Sequence, residues 1–161
     1  MLDFLKKKEK KAGEIFATQN GTAVELAEVP DPVFAEKMLG DGIAIIPTDN
    51  LILCPVNGTI IDVIDTLHAY CIESDDGLDI LVHIGINTVE LKGEGFTSLV
   101  KVNDKVKVGD KLAIADLEFI KSKGYEIYTP IIITNSDVLK EANHLTGKVE
   151  QGKTVVFTYQ K

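Results

Sequence analysis

The sequence predicts an all-β protein, an antiparallel β-sandwich or half-open barrel with short helical turns. Runs rich in Ile, Val, Leu, Thr and Tyr recur about every ten residues. Turn-forming clusters such as Pro47-Thr48-Asp49-Asn50 and Pro55-Val56-Asn57-Gly58 separate them, and only two segments carry a helix-start signal.

In chain order, residues 1–13 read as a basic tail and residues 14–161 as one domain. The first helical turn is expected at 32–38, where Asp31 can cap and Pro32 supplies the fixed φ of a first helical residue. Strands are expected at 42–46, 51–54 and 58–64, then in a hairpin built from 66–72 and 77–89. Residues 106–112 follow as alternating apolar and polar positions about a glycine turn, and 116–123 as a second short helix. Strands at 128–134 and 154–159 complete the body. The glycine pairs at 40–42 and 93–95 lack the strand-to-helix setting of a phosphate-cradling loop and read as turns.

The length, 161 residues with 45% hydrophobic content, suits a single domain with a substantial core. Cys54 and Cys71 sit in apolar runs without a CxxC spacing, and no secretory segment precedes them, so both are expected as reduced, small hydrophobic side chains in a cytoplasmic protein. No apolar run approaches the roughly 20 residues that span a bilayer. The net charge of −8 is unevenly spread: residues 1–11 carry five lysines against Asp3 and Glu9, a net +3, which leaves −11 for the remainder. An acidic body argues against nucleic acid and for a basic protein partner. The tail, with Leu2, Phe4 and Leu5 among its lysines, reads either as a short amphipathic helix in weak contact with an anionic membrane surface or as a disordered solubilising terminus.

The most informative stretch is 77–89, where His83 interrupts an apolar strand. Burying an imidazole without a partner costs roughly 1–3 kcal/mol, so this one should be hydrogen-bonded or in use. His68 lies on the preceding strand, and Ser74-Asp75-Asp76-Gly77 supplies the turn. With Asp75 and Asp76 as a two-residue loop, Ser74 faces Gly77, Glu73 faces Leu78, and His68 falls opposite His83. Opposed residues have Cβ atoms about 4.5–5.5 Å apart, near enough for two imidazoles to meet. Such a pair can ligate a metal, act as base and nucleophile, or carry a phosphoryl group on one ring steadied by the other. His144, isolated from the hairpin, reads as structural.

Residues 77–89 resemble the signature of the glucose-type IIA domains of the bacterial phosphoenolpyruvate-dependent sugar phosphotransferase system: glycine, an apolar run, His, apolar, Gly, apolar, any residue, Thr and an aliphatic. Segments 31–37, 40–45, 66–69, 72–75 and 89–96 resemble the same family in the same order, so that the likeness covers about residues 14–161. The resemblance implies a β-sandwich of the duplicated hybrid motif kind with two histidines in a shallow apolar depression. It implies that His83 takes a phosphoryl group from the phosphohistidine of HPr and passes it to a cysteine of the sugar-specific IIB domain. His68 would steady the phosphorylated ring and serve the onward step, Thr66 would hydrogen-bond His68, and the Gly85 carbonyl would fix the His83 tautomer. Val33, Phe34, Met38, Leu39, Ile64, Leu81 and Val89 would form the apolar docking rim, with Asp31 pairing an arginine of HPr. No cofactor is required, because transfer between imidazoles depends mainly on positioning.

Two other readings compete. A zinc hydrolase on a related sandwich would need His-x-x-x-Asp and His-x-His spacings; here Ile72 follows His68 at the fourth place, Asn87 follows His83, and no His-x-His exists. Zinc held by His68 and His83 with a partner's carboxylate is the residual metal reading. A regulatory protein that docks transporters or kinases without transferring phosphate is the other. The site also departs from the family at Asn87, where an aspartate is usual. An amide keeps the size and loses the charge, so Asn87→Asp is expected to tighten docking to HPr and steepen its salt dependence. Binding measured across a salt series checks this, and equal slopes for both proteins would contradict it.

Overall fold

The computed structural model describes residues 13–161, and every strand pair in it is antiparallel. Among the described residues the strands are β1 (Gly13–Phe16), β2 (Gly21–Val24), β3 (Asp41–Pro47), β4 (Leu51–Leu53), β5 (Gly58–Val63), β6 (Ala69–Ser74), β7 (Asp79–His83), β8 (Phe96–Ser98), β9 (Lys105–Val106), β10 (Lys111–Ala115), β11 (Thr129–Ile133), β12 (Glu141–His144), β13 (Gly147–Val149) and β14 (Val155–Gln160). Eight form one sheet in the order β13-β2-β3-β11-β7-β6-β5-β9; β1-β14-β12 and β4-β10-β8 form two smaller sheets. The expected sandwich with short helical turns is therefore the observed architecture.

The patterning explains the layers. Along β6 and β7, Tyr70, Ile72, Ile80 and Val82 point inward and join Ile15, Ile52, Ala113, Phe157 and Tyr159 from the smaller sheets in one core. The intervening Cys71, Glu73, Asp79 and Leu81 are half-buried or exposed, as alternation on a one-sided sheet requires. β11 is buried along its whole length and β3 nearly so. The reason is a second apolar cluster on the outer face, where Ala44 and Ile132 meet Val24, Leu26, Val29, Phe34 and Ile86. A strand covered on both faces has no polar side to present.

The lid over that outer face consists of a 3-10 turn, Leu26–Glu28, and α1 (Pro32–Ala35). Asp31 caps α1 by accepting the Val33 N–H at 2.9 Å. The helix is shorter than the expected 32–38, since the chain turns left-handed at Lys37 (φ +58°). The second helix, α2 (Leu117–Ser122), is capped by Asp116, which accepts from the Phe119 N–H at 3.1 Å.

Several expectations need correction. Asp41 and Gly42 begin β3 rather than forming a turn. The strand expected at 66–72 starts only at Ala69, leaving His68 and Thr66 in the bend before it. The β6–β7 register is shifted by one: Ala69 pairs with His83, Tyr70 with Val82 and Glu73 with Asp79. The loop holds three residues, Asp75, Asp76 and Gly77, because Gly77 takes a left-handed conformation (φ +92°) and closes the turn onto the Ser74 carbonyl at 3.0 Å. β1, β2, β8, β12 and β13 were not expected from the pattern at all; they are three or four residues of mostly polar or small side chains.

Gly13, expected in the tail, is the first residue of β1 and pairs with Tyr159; the tail reading of residues 1–12, including membrane contact, lies outside the described residues. Among the described residues no helix is long and apolar enough to cross a membrane. Both cysteines are free, Cys54 buried and Cys71 half-buried. His144 on β12 lies between two carboxylates, 2.6 Å from Glu25 and 3.0 Å from Asp41.

Strands approach very closely at Gly42, where a Cβ would stand 2.0 Å from the Ile131 carbonyl oxygen. Backbone in the middle of a paired, buried strand cannot yield as a side chain does. Gly42→Ala is expected to destabilise the fold by about 1–3 kcal/mol, read as a lower denaturation midpoint at unchanged slope. A midpoint equal to wild type would contradict this.

Candidate functional site

His83 is the last residue of β7 and, by alternation, projects from the outer face with Leu81. Its cross-strand neighbour is Ala69, whose small side chain leaves space beside the ring. Phe34 from α1 fills one side, its ring centroid 4.9 Å from the imidazole at 56°. His68 fills another, centroid to centroid 4.9 Å at 80°, an edge-to-face arrangement. The two histidines thus meet, although not as opposed strand residues. The ladder runs one step past the strand, with the Ile84 N–H on the His68 carbonyl at 2.7 Å, and the left-handed Leu67 (φ +60°) turns the chain there. Behind His68 stands Phe96, 6.5 Å away, so that His68 is only 5% exposed while His83 is half-buried.

Hydrogen bonds fix both rings. His83 Nδ1 is 2.8 Å from the Gly85 carbonyl oxygen. A carbonyl only accepts, so Nδ1 carries the proton and Nε2 keeps its lone pair. His68 Nδ1 is 2.8 Å from the Thr66 hydroxyl. Gly85 is in the left-handed region (φ +80°), and a Cβ there would strike the Thr88 methyl at 2.5 Å. Its N–H donates to the Tyr128 carbonyl at 2.9 Å and that of Ile86 to Glu126 at 3.0 Å, which ties the turn after β7 to the segment entering β11.

The electrostatics favour neutral rings. Burial, reinforced by the neighbouring His68, pushes His83 down from 6.5 to about 4, opposed by its bond to Gly85 and by the charge of Asp31. Burial also lowers His68, against a backbone hydrogen bond at Thr66 that raises it. At neutral pH the site therefore presents two uncharged imidazoles, one with its nucleophilic nitrogen defined.

Of the expected rim, Val33, Met38, Leu39, Ile64 and Val89 are exposed apolar side chains. Phe34 differs from these: it is buried and acts as a wall of the pocket. Leu81 packs partly against the second cluster. Asp31 is half-buried, with one oxygen engaged as the α1 cap, and Asn87 is exposed in a left-handed conformation (φ +61°). Sequence reasoning missed Ala69, Phe96 and Thr88 as parts of the site. Thr88 left a signal as the threonine of the 77–89 pattern, while Ala69 and Phe96 lay in the matching segments 66–69 and 89–96 without one of their own. For a metal, His68 and His83 supply two ligands; among the described residues no group of three or more His, Cys, Asp or Glu side chains comes together to hold an ion.

The family model of the phosphoenolpyruvate-dependent sugar phosphotransferase system, EIIA 1, matches residues 13–139. The chain is 49% identical over 148 residues to the glucose-specific EIIA component of Buchnera aphidicola subsp. Acyrthosiphon pisum, covering 92% of each chain. It is 43% identical to the corresponding component of Haemophilus influenzae, covering 92% of this chain and 89% of that one. It is also 46% identical to a part, 21% of the length, of the glucoside-specific EIICBA component of Staphylococcus carnosus. Among solved structures, glucose permease IIA from Mycoplasma capricolum superposes with a TM-score of 0.86 at 41% identity, over 92% of this chain and 96% of that one.

Folding lowers the His83 pKa from 6.5 to about 4, so between these values the unfolded chain binds a proton that the native state does not. Stability then rises with pH across the window and is lost as pH falls through it. Denaturation at a series of pH values is expected to show wild type weakening from about pH 6.5 toward 4 more steeply than His83→Gln, with the His83 ring resonance titrating near 4. A ring that titrates near 6.5 would contradict the burial argument.

Proposed function

Because the chain belongs to the EIIA type 1 family of the phosphoenolpyruvate-dependent sugar phosphotransferase system, whose members relay phosphoryl groups from HPr to IIB through a phosphohistidine, we propose that His83 is the residue that carries the group. The observation that bears most weight is the Nδ1 hydrogen bond to Gly85 on a ring kept neutral by burial. It leaves Nε2 unprotonated and aimed by its backbone partner.

In the first step the His83 Nε2 lone pair attacks the phosphorus of phospho-HPr. The new P–N bond forms as the old one breaks, and the electron pair returns to the imidazole of HPr. In the second, a thiolate of the IIB domain attacks the same phosphorus and the pair returns to Nε2. Neither step needs a metal to generate the nucleophile, and orientation supplies most of the advantage. The sequence contains no arginine, so a guanidinium clamp on the phosphoryl oxygens would have to come from the partner, with Asp31 at the rim to receive it.

His68 has a distinct part. When the Thr66 hydroxyl donates to its Nδ1, the His68 proton sits on Nε2, where it can donate to a phosphoryl oxygen on the neighbouring ring. That bond stabilises phospho-His83 and the departing group in the onward transfer. The exposed Val33, Met38, Leu39, Ile64 and Val89 give both partners an apolar surface that excludes water around the labile P–N bond. The relatives at 49% and 43% identity, both glucose-specific EIIA components, support glucose as the sugar served.

Incubation with phosphoenolpyruvate, enzyme I and HPr, followed by intact-mass analysis, tests these roles. Wild type and His68→Gln are expected to gain one acid-labile phosphate and His83→Gln none, while His68→Gln passes it to IIB at least about a hundredfold more slowly. Phosphate on His83→Gln, or none on folded wild type with active donors, would overturn the assignment.

A further inference from the structure

Thr88 is fully buried, yet it is polar and lies beyond the strand that ends at His83. Its hydroxyl donates to the Ile84 carbonyl at 2.6 Å, across the base of the turn that contains Gly85. Its methyl group stands against Gly85 so closely that a Cβ at position 85 would be 2.5 Å from it. The same side chain therefore grips the turn twice, once on the peptide before Gly85 and once on Gly85 itself.

Gly85 is left-handed (φ +80°) and has no Cβ, so hydrogen bonds more than local sterics hold the peptide that joins it to Ile86. The carbonyl of this peptide is the acceptor of the His83 Nδ1 proton. If it rotates away, Nδ1 loses its partner and the ring proton can move to Nε2, the nitrogen that must attack. The Ile86 N–H, on the same peptide as that carbonyl, is tied to Glu126 at 3.0 Å and the Gly85 N–H to Tyr128 at 2.9 Å, so the neighbouring segment holds one side of the turn. Thr88 adds a tie from within the turn, on the Ile84 carbonyl at the peptide before Gly85.

We propose that Thr88 is a positioning residue for His83: by fixing the Ile84–Gly85 peptide and packing on Gly85 it acts with the Ile86–Glu126 bond to keep the Gly85 carbonyl on Nδ1, and so the tautomer with a free Nε2. It touches neither the phosphoryl group nor a partner. The inference rests on the reading of His83 as the phosphoryl acceptor, but the tautomer it describes can be observed without any phosphoryl transfer.

Two substitutions separate the hydroxyl from the shape. Thr88→Val keeps the methyl contact and removes the hydroxyl; Thr88→Ser keeps the hydroxyl. In wild type the His83 ring nitrogen resonances are expected to report a single Nδ1–H tautomer. In Thr88→Val they are expected to report a mixture, with phosphoryl uptake from phospho-HPr slowed about tenfold or more. Thr88→Ser is expected to restore the single tautomer and to lie within about threefold of the wild-type rate. Melting curves establish that each variant is folded, and Thr88→Ala takes the place of the valine variant should that one not fold. A wild-type tautomer and rate in the variant lacking the hydroxyl would overturn the proposal. If wild type accepts no phosphate but the tautomer still depends on the hydroxyl, the acceptor reading fails and the positioning role stands.

Discussion

A single hydrogen bond, from His83 Nδ1 to the Gly85 carbonyl two residues on, decides what the site can do. Without it an imidazole distributes its proton between two nitrogens, and burial adds no preference for either. With it, the ring that burial keeps neutral also has a defined nucleophilic atom. The bond joins a strand end to a turn, so it holds only where both are fixed. β7 is fixed by its place between β6 and β11 in the large sheet, and the turn by its bonds to residues 126 and 128.

The two apolar layers place this bond at a surface instead of in a core. Inward side chains of the large sheet meet the two small sheets in the main cluster, which accounts for most of the stability. The second cluster covers only part of the outer face, where Leu26, Val29 and Phe34 pack on Ala44 and Ile132. His83 lies at the margin of that cover, against Phe34. It is desolvated enough to remain neutral and open enough to be reached. Phe34 links the roles, since the side chain that completes the second cluster also forms a wall of the pocket.

The charges of the chain divide the work between the protein and its partners. The site itself offers neutral imidazoles, backbone carbonyls and apolar surface, while the body as a whole is acidic. Cationic stabilisation of a phosphoryl group is thus left to a basic partner, which the acidic body attracts and Asp31 can receive. A carrier that must release its group to a second protein gains from this arrangement. A strong clamp within its own chain would hold the phosphate as tightly in the product as in the transition state.

Local patterns in the sequence determined much of this protein. The alternation in 69–74 and 79–83 set which side chains enter the core, the Asp31–Pro32 and Asp116 signals set where α1 and α2 begin, and the lone imidazole in an apolar strand marked His83. These features depend on residue type and short-range periodicity, which one chain displays. The register of the β6–β7 hairpin did not follow, because a turn of two residues and one of three suit Ser74-Asp75-Asp76-Gly77 equally until Gly77 takes its left-handed conformation. The position of His68 was decided outside its strand, by the bend at Leu67, and the burial of Phe34 by a cluster assembled from segments distant in sequence. The strands β1, β2, β8, β12 and β13 exist because a neighbouring edge satisfies their backbone, not because their side chains ask for it. What the sequence settled was local preference; what needed the tertiary structure was every feature in which distant segments competed for the same backbone hydrogen bonds and the same apolar surface.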